Sequence, residues 1–150
     1  MNTAFVPIFS KKLEGGSDAM PFARNALSML AVFLIGFTLL AQIAMPWLVL
    51  AMASGFADDP RFGIAVEFGR ICFAYILLIS LAALISGMLN AAGRFAAAAA
   101  APVLLNVILV SALIFGAQSA TDSPEAAPMI GLALSWGVPV AGVAQLVLVW

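Results

Sequence analysis

The sequence has no histidine and one cysteine, and only six basic and seven acidic residues across 150 positions. Without histidine or paired cysteines, the ordinary ligands of zinc, haem and iron–sulfur centres are missing, as is a Cys/His nucleophile. Cys72 has no second cysteine to bridge, so no internal disulfide can form. The acidic residues are scattered among connecting segments, which leaves no carboxylate cluster for a metal, and no cofactor is expected. A net charge of −1 gives no basic patch for nucleic acid. No nucleophile–base pair can be assembled, so the chain is expected not to be an enzyme.

Charge is also missing in long blocks. Residues 25–57, 71–93, 95–121 and 126–150 contain no Asp, Glu, Lys or Arg. Each block is long enough for a helix to cross roughly 30 Å of hydrocarbon, which takes about 20 apolar residues. Hydrophobic residues make up 65% of the chain, well above the roughly 45–50% of soluble domains. Backbone polar groups in lipid must be satisfied within the segment, which selects helices. The fold class is therefore all-α: a polytopic transmembrane bundle of four spans, in a single membrane domain over residues 1–150.

Along the chain, residues 1–25 read as a cytosolic or interfacial lead-in, with a turn at Gly15-Gly16-Ser17-Asp18. The apolar piece at residues 4–9 is too short for a secretory signal, and its lysines follow rather than precede it. The spans are expected at about 27–52, 70–92, 97–116 and 129–150. Pro46 predicts a kink or an early end in the first span, and the adjacent Trp47 suits the headgroup region. Residues 54–69 read as a polar connection with a turn and helix restart at Asp58-Asp59-Pro60-Arg61. Residues 118–128 form the next connection. The last span stops at Trp150 with no closing loop or basic anchor, as expected of a truncated sequence.

If the loops alternate sides, Lys11, Lys12, Arg24 and Arg94 share one side and Arg61 and Arg70 the other. The excess of basic residues places the N-terminus in the cytosol. No ionisable residue lies inside the spans, away from their edges, so ion coupling by this chain alone is not expected. The polar residues within spans are Thr38, Gln42, Ser80, Ser86, Asn106, Ser111, Ser135 and Gln145, suited to contacts between helices or to lining a substrate path. Ala83, Gly87 and Ala91, and likewise Ala133, Gly137 and Ala141, recur every four residues and predict close helix packing. Arg70 and Arg94 stand at opposite membrane faces. They can serve as snorkelling anchors or grip a lipid phosphate through parallel hydrogen bonds.

The set Ala4-Phe5-Val6-Pro7, Pro46-Trp47, Gly55-Phe56-Ala57, Tyr75-Ile76-Leu77-Leu78-Ile79-Ser80-Leu81, Leu89-Asn90-Ala91, Arg94-Phe95 and Ala101-Pro102-Val103-Leu104-Leu105-Asn106 resembles the MurJ/MviN family of lipid II flippases, in order and spacing. Members of that family have about fourteen spans in two lobes, and this chain is similar to the third to sixth, part of a MOP-exporter N-terminal lobe. The resemblance implies multi-pass residence in the bacterial cytoplasmic (inner) membrane. It also implies translocation of the undecaprenyl-pyrophosphate-linked peptidoglycan precursor for cell wall synthesis, with that precursor, membrane lipids and the remainder of the transporter as partners. The isolated chain is expected to be inactive. Arg70, Arg94, Asn90 and Asn106 are the candidate substrate-binding residues. Both arginines match positions where relatives often carry a basic residue, while the cations on which the family relies lie mostly in spans not present here. Relatives commonly have proline where this chain has Ala74 and Ala98. The rival readings are an exporter of another lipid-linked oligosaccharide or a drug, and a small membrane scaffold that binds partners through its Ala/Gly stripes.

Overall fold

The computed structural model describes residues 2–15, 19–56, 59–119 and 126–150. Five α-helices and one 3-10 turn make up the described fold, and no strand occurs among the described residues. They are α1 (Asn2–Glu14), α2 (Ala19–Met52), α3 (Phe62–Ala91), α4 (Ala96–Ser119) and α5 (Ala126–Val149), with the 3-10 turn at Ser54–Phe56 after α2. Helices α2 to α5 are each long and apolar enough to cross a membrane. The turn expected at Gly15-Gly16-Ser17-Asp18 and most of the connection over 118–128 lie outside the described residues.

Two helices are longer than the bilayer requires. At 1.5 Å per residue, α3 is about 45 Å long and α2 about 51 Å. Helix α3 begins at Phe62, well inside the segment expected to be a polar connection. Its first turns run through Phe62, Val66 and Phe68, and Val66 is buried, so packing extends the helix past the uncharged block. The start is set by Asp59: its carboxylate accepts the Arg61 N–H at 2.8 Å and its carbonyl accepts the Phe62 N–H at 3.0 Å, an Asx-type turn ahead of the helix. Glu67 and Arg70 consequently ride on α3. Residues 71–90 are enough to fill the hydrocarbon, which puts Arg70 at its edge.

Glycine contacts give the relative directions. A Cβ on Gly131 would meet Phe68, and one on Gly142 would meet Tyr75 and Leu78, so α3 and α5 run parallel. A Cβ on Gly116 would meet Ala133 and Ile130, and one on Gly137 would meet Ala112, so α4 and α5 run antiparallel. Helix α3 packs mainly on α2 and α5, and α4 packs mainly on α5. The spans therefore stand in the order α2, α3, α5, α4, with the last helix of the chain inserted between its two predecessors. At one end the start of α2, the end of α3, the start of α4 and the end of α5 meet. There Ala82, Ile85 and Val149 form a buried cluster against Leu27, Leu89, Ala97 and Leu146. Arg24 and Arg94 belong to this end, called the basic end below. Helix α1 packs on α3 and α2 and buries Phe9.

Of the two small-residue stripes, the one on α5 lies in the core: Ala133 and Gly137 face α4 and Ala141 is fully buried. The stripe on α3 is divided, with Gly87 buried and Ala83 exposed. Outside these seams the surface is apolar, with Phe33, Leu40, Ile43 and Trp47 exposed on α2 and Val103, Val107 and Val110 on α4. Water would not tolerate so continuous an apolar surface, whereas lipid or further membrane helices would.

Candidate functional site

Arg70 is held by Gln42, one turn before a proline on the neighbouring helix. In an α-helix the N–H of residue 46 would bond the carbonyl of residue 42, but Pro46 has no N–H. The Nε–H of Arg70 donates to that Gln42 carbonyl at 3.1 Å. In return the Gln42 side chain donates from Nε2 to the Arg70 carbonyl at 2.9 Å. The early end expected at Pro46 does not occur, and α2 continues to Met52. Phe37 and Phe73 pack one turn deeper at 5.8 Å between ring centroids. The rest of the Arg70 side chain is exposed. Glu67 lies one turn before it, and no ion pair joins the two; the pair present among the described residues is the contact at 3.3 Å between exposed Arg61 and half-buried Asp59.

This geometry makes a prediction at Ala74. The carbonyl that a proline at 74 would strip of its helical donor is that of Arg70, which already accepts from Gln42. Ala74→Pro is therefore expected to cost less than a proline elsewhere in the middle of α3. Ile79→Pro, which frees the Tyr75 carbonyl where no side chain among the described residues donates, is expected to cost about 3 kcal/mol. Denaturation of both variants in micelles checks the difference.

Asn90 and Arg94 sit together at the basic end, where α3 closes. The Arg94 N–H bonds the Leu89 carbonyl at 2.8 Å and the Gly93 N–H bonds the Asn90 carbonyl at 3.1 Å, the pair of bonds that ends a helix around a left-handed residue. Gly93 supplies that conformation with φ of 77°. The closure fixes the backbone of Arg94, and the side chains of Arg94 and Asn90 are both exposed. Arg70 lies twenty residues from Asn90 along α3, about 30 Å away, so the structure does not bring these groups into one site. Asn106 is separate again, exposed on the face of α4 turned away from α5. Ser111 and Ser119 bond back to carbonyls of their own helix at 2.7 and 2.9 Å. Asn106 has no hydrogen-bond partner among the described residues.

The best-buried polar node was not singled out in the sequence. Gln145 is 1% exposed. Its Oε1 accepts the Tyr75 hydroxyl at 3.1 Å and its Nε2 donates to the Ala101 carbonyl at 2.7 Å, tying α3, α5 and α4 together. Gln145 stands in the sequence as one of eight polar residues within spans, and the available signal was its place three residues after Gly142 in an apolar run. Thr38 is the exception to polar satisfaction: its Oγ1 is buried without a hydrogen-bond partner among the described residues. A shallow recess of about 270 Å³ between the ends of α4 and α5 is walled by Phe115, Met129, Leu132 and Trp136. It is too small and too apolar to seat a lipid-linked saccharide, for which even drug-sized pockets of about 300–1,000 Å³ set the scale.

Comparison with known proteins places the chain. The family model described as lipid II flippase MurJ matches residues 1–149. A protein of Rhizobium meliloti named probable lipid II flippase MurJ is 42% identical across 99% of this chain. One from Burkholderia cenocepacia, named lipid II flippase MurJ, is 39% identical across 95% of it. The chain spans 28% and 27% of the length of these two relatives.

Proposed function

The chain belongs to the lipid II flippase MurJ family, and on that premise we propose that it contributes part of the N-terminal lobe of a lipid II flippase. Its cargo is then the undecaprenyl-pyrophosphate-linked peptidoglycan precursor, moved between leaflets of the bacterial cytoplasmic membrane by transport rather than by covalent chemistry. The observation that carries this reading is a family match over residues 1–149 laid on four helices of bilayer length. The N-terminus and the basic end face the cytosol, in keeping with the bias of Lys11, Lys12, Arg24 and Arg94. Asn90 and Arg94 would then meet the precursor's phosphates at the cytosolic face, Arg70 at the opposite face, and Asn106 its polar portion between them. A cation at each headgroup level suits a cargo whose pyrophosphate must leave one interface and reach the other.

Four helices do not make two lobes, and a cavity for a large amphiphile lies between repeats, so the chain alone is expected to be inactive. Expressed by itself in cells depleted of their own flippase, it should not restore growth. The same segment, grafted in place of the matching quarter of the Rhizobium meliloti relative, should restore it. Growth with the chain alone would overturn the requirement for a second lobe, and a silent but correctly inserted graft would overturn the flippase reading.

A further inference from the structure

The Gln42–Arg70 pair does something that anchoring and cargo binding do not require. We infer that Arg70 is a latch, a surrogate for the backbone donor deleted by Pro46, which keeps the last two turns of α2 helical and fastened to α3. Three observations converge on it. Pro46 strips the Gln42 carbonyl of its helical partner, and the atom that replaces that partner is Nε of Arg70, a position where lysine carries a methylene. The Gln42 side chain returns a bond to the carbonyl of that same arginine, so backbone and side chain of each residue are engaged with the other. The helices also touch here at a glycine: a Cβ on Gly69 would come within 2.9 Å of Met45 Sδ, so α2 and α3 approach closely beside the pair.

In lipid an unmade backbone bond is costly, so a side chain that makes the bond deleted by Pro46 favours continuation of α2 beyond it. The latch thus couples the outer end of α2 to α3 through one side chain, at the edge of the hydrocarbon, and the two helices move as one body while it is closed. Opening it frees the turns from Trp47 to Met52. This goes beyond the proposed cargo and does not depend on it.

Hydrogen exchange of the whole chain in lipid nanodiscs tests the inference. Arg70→Ala is expected to speed exchange at the amides of Trp47 to Leu50 by roughly tenfold or more, the scale of one lost hydrogen bond to a charged group. Gln42→Ala, which keeps the carbonyl, is expected to speed it less. Restoring the missing N–H is decisive. In a Pro46→Ala background α2 supplies its own donor, and adding Arg70→Ala should then change exchange little. An equal effect of Arg70→Ala in both backgrounds, or none in either, overturns the latch. Should Arg70→Ala alone fail to insert, the Pro46→Ala/Arg70→Ala double variant decides. It inserts if Arg70 is a surrogate donor, and it fails alike if Arg70 serves only to anchor the helix.

Discussion

Gln145→Ala is expected to lower the unfolding free energy of the bundle by about 2–4 kcal/mol, followed by SDS titration of the purified chain in micelles. The side chain is 1% exposed and lies where α3, α4 and α5 converge, so its removal leaves a cavity walled by three helices. It also strands the Tyr75 hydroxyl and takes a donor from the Ala101 carbonyl. The two contributions separate. Gln145→Leu preserves the volume and removes only the bonds, and hydrogen bonds between membrane helices are worth about 0.6–2 kcal/mol. Tyr75→Phe removes the Tyr75 bond alone and should cost less than either. A Gln145→Leu variant as stable as the parent would show that packing, and not the polar node, holds these helices together.

The second large effect is expected at Gly142. A Cβ there would lie 2.8 Å from Tyr75 Cδ2 and 2.9 Å from Leu78 Cβ and Cδ1. Leu78 Cβ is fixed to its own backbone and cannot rotate away, so Gly142→Ala must push α3 and α5 apart. Overpacking of this kind costs about 1–3 kcal/mol. Because Tyr75 is displaced at the same time, Gly142→Ala and Tyr75→Phe should be non-additive. Gly36 is the internal control, since nothing lies within 4 Å of a Cβ built there. Gly36→Ala should be neutral or stabilising by up to about 1 kcal/mol through helix propensity. Equal destabilisation at the two glycines would remove the case for a close α3–α5 seam.

The candidate residues were legible to different depths. Arg70 and Arg94 stand out because a basic residue at the margin of an uncharged run has few places to go, and the structure puts them about 30 Å apart on one helix and its closing turn. Asn90 next to Arg94 follows from Gly93, the residue able to end α3 in the left-handed region. The bond between Arg70 and the Gln42 carbonyl was half visible: Pro46 announces a carbonyl without a donor four residues earlier, but which side chain fills the vacancy depends on a helix 28 positions away. Gln145 was hardest to read, since a glutamine in an apolar run looks the same whether it faces lipid, a pore or three neighbouring helices.

The sequence by itself determined that four segments are helical and of bilayer length. In hydrocarbon each segment must satisfy its own backbone, and the uncharged blocks are long enough to cross. It also determined where α3 turns into α4 and, through 42% identity with a relative across nearly the whole chain, the family. Only the tertiary structure decided the order α2, α3, α5, α4, because the spans are alike in hydropathy and lipid offers no hydrophobic force to sort them. What sorts them is contact at short range: the glycines that admit Phe68, Tyr75 and Leu78 to the face of α5, the three-helix bond network of Gln145, and the arginine that completes a neighbour's broken helix.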